Sequence, residues 1–298
     1  MKNDIFNFRR FGKYFTSDLR TCVANYGLSL LTMAVLTPLA TYALISGFAY
    51  LLGGSWEGPE IGTRAFIFFM MAVCLVVTMP VKCYGKLTEK QYGSFWLTLP
   101  ASRLEKFISM IIITCIIAPI AGFGIYLGID AIICAIDPTC GEGLMATGIN
   151  YFINAGEFID EIGGELTLNF GNEKIPVEDR TLSMDILRQM NNPWLYIDDF
   201  FGMSLPFLLG AICFKKGKTV KTILVLALIG TAASSIMAPL MKEWAIRLAE
   251  SNDAEMIVYN MFNSGLFRHF ALIDTISDTL VNLAILTGIW FRIKTLKH

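Results

Sequence analysis

Charge is scarce in this sequence. Only 16% of its 298 residues are Asp, Glu, Lys or Arg, where a soluble domain carries about a quarter. That deficit, with 54% hydrophobic residues and a mean hydropathy of +0.56, excludes an ordinary water-soluble domain. Histidine is nearly absent: His269 and His298 are too few and too far apart for a His-based metal cluster, and no cysteine spacing matches a zinc site. The first 26 residues lack the short apolar core and small-residue cleavage site of a secretory signal. A phosphate-binding loop is missing too. Gly217-Lys218-Thr219 matches only the tail of that pattern, and Ile212 stands where its first glycine belongs. No Ser-His or His-Glu-x-x-His arrangement and no internal repeat is present, so neither a hydrolase nor an inverted-repeat carrier is indicated.

What is abundant is uninterrupted apolar sequence. Six segments stand out, at about 27–52, 65–81, 107–136, 200–214, 222–241 and 270–291. Most match the roughly 20 residues that a helix needs to cross about 30 Å of hydrocarbon. The fourth is short and contains Pro206, so it is extended back through 197–199. Pro119 predicts a kink in the third segment. The expected fold is all-α: a polytopic membrane protein of six transmembrane helices spread over 27–298.

The basic residues orient these spans. With the N-terminus inside, 17 of the 24 Lys and Arg fall in the short inner pieces 1–26, 82–106, 215–221 and 292–298. Short loops rich in Lys and Arg stay cytoplasmic, so both termini are expected inside. The reverse orientation would translocate Lys215, Lys216, Lys218 and Lys221 together. In the stretch 1–26, Phe6, Phe8, Phe11, Tyr14, Phe15 and Leu19 alternate with Arg9, Arg10, Lys13 and Arg20. This predicts an interfacial helix with its basic residues toward anionic lipid headgroups.

The outer loops are unlike the inner ones. Residues 137–199 carry 12 acidic against 3 basic residues and are read as a small extracytoplasmic cap. Within it, 144–162 and 182–190 have helical spacing. The alternation Glu165-Leu-Thr-Leu-Asn-Phe before Gly171-Asn172 predicts a hairpin. Residues 242–250 and 254–263 read as two short helices.

The inner loop 82–106 is the most informative stretch. Tyr84, Leu87, Tyr92, Phe95, Trp96 and Leu99 interleave with Lys82, Lys86, Glu89 and Lys90, a pattern of a short amphipathic helix. Pro100 stops it, and Ser102-Arg-Leu-Glu105 reads as a capping box opening the third span. The run Gly93-Ser-Phe-Trp-Leu-Thr-Leu-Pro100-Ala-Ser102-Arg103-Leu-Glu105-Lys106 resembles the cytoplasmic loop of ABC-2-type transporter permeases, which carries a "tLPvsR.E" stretch between the second and third spans. The resemblance implies a coupling helix in 82–106 that docks on a separate ATP-binding subunit. Its contacts would come from Tyr84, Leu87, Glu89, Tyr92, Phe95 and Trp96. It further implies a second permease subunit, in a homodimer or heterodimer, and ATP and Mg held by the partner and not by this chain. Short helices before the last span also resemble that family, whereas the long acidic loop departs from its compact members.

Other groups are open to two readings. Asp130, Asp274 and Asp278 lie in or near spans, where charge is expensive. They are either solvated rim residues or the lining of a translocation path; Asp274 and Asp278, four apart, share one helix face. Cys22, Cys74, Cys83, Cys115 and Cys213 read as small buried hydrophobes. Cys134 and Cys140 either pair, on an oxidising side, or stay free. The expected function is the membrane-spanning permease subunit of an ABC-2-type transporter in a bacterial inner membrane, catalysing nothing itself and binding no nucleic acid. The alternative is a standalone carrier, or a sensor whose acidic cap binds a ligand.

Overall fold

The computed structural model describes residues 6–89, 93, 96, 98–153, 167–170, 173–176, 193–249 and 266–295. The chain divides into two compact units, residues 1–149, 203–222 and 284–298 in the first and residues 150–202 and 223–283 in the second.

The first unit is built on three long helical rods. Helix α1 (Phe8–Cys22) opens on Asn7, whose Oδ1 accepts the N–H groups of Arg9 and Arg10 at 3.0 and 3.3 Å. Such a cap satisfies donors that the first helical turn otherwise leaves unpaired. A π-helical turn (Val23–Gly27) joins α1 without a break to α2 (Leu28–Leu51). Helix α2 contains Pro38, which lacks the N–H for its helical bond, yet the rod continues. Helix α3 (Ile61–Tyr84) runs back and ends in a 3₁₀ turn (Gly85–Thr88). The third rod is α4 (Arg103–Ile111), a π turn (Ile112–Ile117) and α5 (Ala118–Ile136). The widened turn lies just N-terminal to Pro119, which can offer no N–H to the Cys115 carbonyl. The expected kink is thus a local loosening of the ladder.

These rods pack through small residues. Helix α2 lies against α5 and α3, and α3 against α5. At their meeting point a Cβ on Gly122 would overlap Leu75 Cδ1 and sit 3.9 Å from Leu30 Cγ. Small residues let apolar helices approach closely where no water drives them together. The opposite faces are apolar and exposed, as at Leu28, Leu36, Leu44, Phe48 and Phe66.

Helix α6 (Leu144–Ile153) follows a 3₁₀ turn (Pro138–Cys140). Strands β1 (Thr167–Phe170) and β2 (Glu173–Pro176) pair antiparallel, with Phe170 opposite Glu173, on either side of Gly171-Asn172. The remainder is α7 (Pro193–Cys213), α8 (Lys218–Ala249) and α9 (Leu266–Thr295). The turn before α8 passes through Gly217 at φ +62°, a left-handed conformation that glycine adopts without strain.

Several expectations change. Among the described residues five helical stretches are long and apolar enough to cross a membrane: 8–51, 61–88, 103–136, 218–235 and 276–295. Together they mark an integral membrane protein that is predominantly helical. The fourth expected span, extended back through 197–199, falls within α7 (Pro193–Cys213), whose described apolar stretch is the shorter Phe200–Cys213. Residues 242–249 are not a separate short helix but the end of α8, which runs through Pro239. The predicted helices at 182–190 and 254–263 lie outside the described residues.

The first unit also sorts its loops by charge. At one end the Arg103 guanidinium donates to the Lys294 carbonyl at 2.8 Å, Lys218 Nζ to the Gly85 carbonyl, and Arg10 to Glu105. All four Lys- and Arg-rich pieces therefore meet there. At the other end Tyr42 Oη donates to Asp137 at 2.7 Å and the Gly58 N–H to Thr139 Oγ1 at 2.8 Å, so the loops 53–60 and 137–143 meet.

A side chain at Gly122 has no room, whereas around Gly124, on the same helix, nothing lies within 4 Å. Gly122→Val is expected to cost about 1–3 kcal/mol from overpacking, with Gly124→Val much milder. Thermal unfolding of the detergent-solubilised variants, compared side by side, reads this difference.

Candidate functional site

The inner loop and α1 are joined by buried polar contacts, and their geometry follows from helical spacing. Residues 10, 14, 18 and 22 lie four apart and form one face of α1. That face turns toward α4 and α3.

Near the N-terminus of α1, Glu105 is fully buried. Its carboxylate accepts Arg10 Nε at 2.9 Å and Nη2 at 2.8 Å, the Asn7 N–H at 2.8 Å and the Ser102 N–H at 2.9 Å. Ser102 Oγ in turn accepts the Glu105 N–H at 3.2 Å. The predicted capping box is present, and the same carboxylate also anchors α1. One turn further along α1, Trp96 Nε1 donates to Tyr14 Oη at 3.0 Å. Lys106 Nζ donates to the Trp96 carbonyl at 2.6 Å and lies 4.7 Å from the centre of its ring. One turn beyond that, Asp18 accepts the Tyr84 hydroxyl at 3.0 Å and the Ser109 hydroxyl at 2.6 Å. Cys22 packs beside Cys83 at the end of the face.

This arrangement distributes the expected docking residues unequally. Tyr84, Leu87 and Trp96 are buried against their own chain, at 2%, 1% and 4% exposure. Tyr84 and Trp96 bond to α1, and none of the three presents a surface outward. Glu89 is exposed at the end of the 3₁₀ turn, and the Gly93 N–H donates to its carbonyl at 2.8 Å. Tyr92 and Phe95 lie outside the described residues. The described positions 93, 96 and 98 are helical.

Asp130 is not a solvated rim residue: it is 2% exposed and ion-paired with the equally buried Arg64 at 3.0 Å. Arg64 also donates to the carbonyls of Cys140 and Glu142, each at 2.8 Å, and to Cys134 Sγ at 2.8 Å. Asp130 Oδ2 accepts the Leu144 N–H at 2.8 Å at the start of α6. Sequence reasoning missed this pair because the two residues are far apart in the chain. The available signal was their matched depth: Arg64 lies three residues into α3 and Asp130 six before the end of the antiparallel α5. Cys134 and Cys140 are free thiols. Burial pushes the Cys140 thiol up to about 11. Cys22, Cys83 and Cys115 are buried as expected, but Cys74 and Cys213 are exposed on helix faces.

In the second unit, Asp278 is half-buried on α9, and the side chain of Asp274 lies outside the described residues. A third acid, absent from the sequence reading, stands out there. Asp198 is 6% exposed; it accepts Asn282 Nδ2 at 2.8 Å and the Thr279 hydroxyl at 3.0 Å. No group of three or more metal-ligating side chains occurs among the described residues. No protein-family model, curated protein or solved structure matches the chain.

Removing one member of a buried ion pair strands the other charge. Arg64→Ala and Asp130→Ala are each expected to cost about 3–5 kcal/mol, while an apolar double replacement, Arg64→Met with Asp130→Leu, recovers most of it. Thermal melts of the three purified proteins measure this. Cys140 provides a second check. In a variant retaining Cys140 alone, its raised pKa predicts alkylation at neutral pH about 100-fold slower than for an unfolded thiol, rising toward pH 11.

Proposed function

We propose that this chain is the membrane-spanning permease subunit of an ATP-driven ABC-2-type transporter. The observation that carries the reading is the elbow 82–106. The run resembling the ABC-2 coupling loop sits where the four Lys- and Arg-rich pieces meet, and buried contacts join it to α1. In this reading that end faces the cytoplasm of a bacterial cell, with both termini inside and α1 reaching the inner membrane interface. Helix α7 completes six spans, and residues 137–199 form the extracytoplasmic cap. ATP and Mg belong to a separate ATP-binding subunit, and a second permease subunit, identical or different, closes the path. The chain itself performs no catalysis.

The mechanical logic is direct. A force applied near Glu89 passes through Trp96 to Tyr14 and through Glu105 to Arg10. Buried, fully satisfied polar contacts of this kind do not slip as exposed ones do. Helix α1 continues into α2, so displacement of the elbow moves a membrane-spanning rod. Asp274 and Asp278, on one face of α9, and Asp130, paired with Arg64, are the acids that would line a path.

The second reading is a standalone carrier or a ligand sensor. The buried polar cluster of Asp198, Thr279 and Asn282 favours it, since intramembrane polar groups of this kind mark substrate or ion routes.

Co-purification with the ATP-binding subunit encoded beside this chain decides between them. The permease reading expects a stable complex with stimulated ATP hydrolysis, weakened about ten-fold by Glu89→Lys, the charge reversal at the exposed tip. Trp96→Ala is expected instead to lower the melting temperature of the isolated chain, because Trp96 packs on Tyr14. No complex, or one indifferent to Glu89→Lys, would sink the proposal.

A further inference from the structure

A second face of α1, adjoining the one that meets Trp96, Tyr84 and Ser109, has its own chemistry. Arg9, Lys13 and Arg20 fall within about 40° of one another around the helix, over about 17 Å of its length. All three are exposed. The one acid of the helix, Asp18, points inward to Tyr84 and Ser109. Two clefts run along this face and share Lys13 and Ser17. The larger, about 710 Å³, is bordered by Arg9, Arg10, Lys13, Tyr14, Leu99 and Pro100. The smaller, about 440 Å³, continues past Ser17, Arg20 and Asn25. No carboxylate borders either one.

We propose that this stripe is a binding site for the phosphate group of an anionic membrane phospholipid. Several observations select that ligand. Arg9 and Arg20 each offer forked donors that match phosphate oxygens, and Lys13, common to both clefts, adds a point charge beside either. The wall at Leu99 and Pro100 is apolar, suited to the glycerol and upper acyl chain and not to a free ion. Helix α1 passes directly into α2, which is uncharged and exposes apolar side chains from Leu28 onward. Arg20 is therefore only about 12 Å along the rod from the first lipid-facing leucine, at the depth where headgroup phosphates lie. The inference rests on the reading of the chain as membrane-spanning and is independent of whether it is a permease.

Native mass spectrometry of the full-length protein, released from phosphatidylcholine alone or from an equimolar mixture with phosphatidylglycerol, tests the site. The expected result is selective retention of phosphatidylglycerol. Retention falls about five-fold for each charge removed in the series Arg9→Gln, Lys13→Gln and Arg20→Gln, and is unchanged in Lys215→Gln/Lys216→Gln. Equal retention of the two lipids, or loss in the Lys215/Lys216 control as large as in the α1 series, overturns the proposal. Inorganic phosphate added at matched ionic strength separates the sources: displacement of the lipid by phosphate alone would assign the site to a free anion and overturn it. Melting temperatures of the variants within a few degrees of the parent keep a folding defect from mimicking the result. A chain that stayed monomeric in water without detergent would instead overturn the membrane reading itself.

Discussion

A carboxylate with no exposure to solvent is unstable unless donors surround it, and Glu105 has them from three places in the chain. It takes the N-terminus of its own helix through Ser102, the N-terminus of α1 through Asn7, and a two-nitrogen grip from Arg10. Losing any one would leave a buried charge short of partners, which costs more than the bond itself contributes. The position of α1 against the elbow follows from this constraint. With Glu105 fixed, the α1 face of 10, 14 and 18 can only meet Trp96, Tyr84 and Ser109, and all three of its contacts are made. The result is a continuous block of α1, the elbow and α4, held by polar bonds in an apolar setting. It joins the beginning of one membrane rod to the beginning of another.

Hydropathy and charge made the coarse architecture legible because lipid imposes them residue by residue. A span must be apolar along its length, and basic loops must stay on one side, so both leave local marks. The capping box of Ser102 and Glu105 was legible for the same reason: its partners are three residues apart. The α1 anchor on Glu105 was not, since Arg10 lies 95 residues away and nothing local pairs them. Arg64 and Asp130, 66 apart, were hidden likewise. The stretch 84–96 is a subtler case. Its amphipathic pattern is real, but a pattern of apolar residues states only that a face is covered. Tyr84 and Trp96 are covered by this chain's own α1, Leu87 is buried as well, and of the described residues expected to dock only Glu89 is exposed. Residues 242–249 misled for a different reason. Proline and charge both usually end a helix, yet α8 continues through Pro239 to Ala249.

The two ends of the first unit solve one problem in different ways. At the basic end, buried charge is stabilised by many hydrogen bonds from backbone and side chains converging on Glu105 and Asp18. At the other end, Arg64 and Asp130 neutralise each other, and their remaining capacity closes the adjoining loop through Cys140, Glu142 and Leu144. Each therefore ties loop to helix where the chain leaves the hydrocarbon. Between them the helices need only apolar packing, such as that around Gly122, Leu75 and Leu30.

The two π turns follow from the same requirement. Val23–Gly27 comes one turn after the last α1 anchors, and Ile112–Ile117 comes directly after Ser109 and Met110. Both rods have a patterned face before the turn and a nearly uniform apolar surface after it. The anchors demand that residues 10, 14, 18 and 22 face α4, while the span beyond must turn Ala34 and Thr41 toward α5 and α3. A regular α-helix cannot meet both phases. One extra residue in a π turn rotates the following segment by about 100° at the cost of a single loosened turn. The Asp18–Ser109 hydrogen bond joins the two rods just before those turns, so the anchored block and the spans are set in phase independently. A motion of the block would therefore meet its least stiff backbone at Val23–Gly27 and Ile112–Ile117.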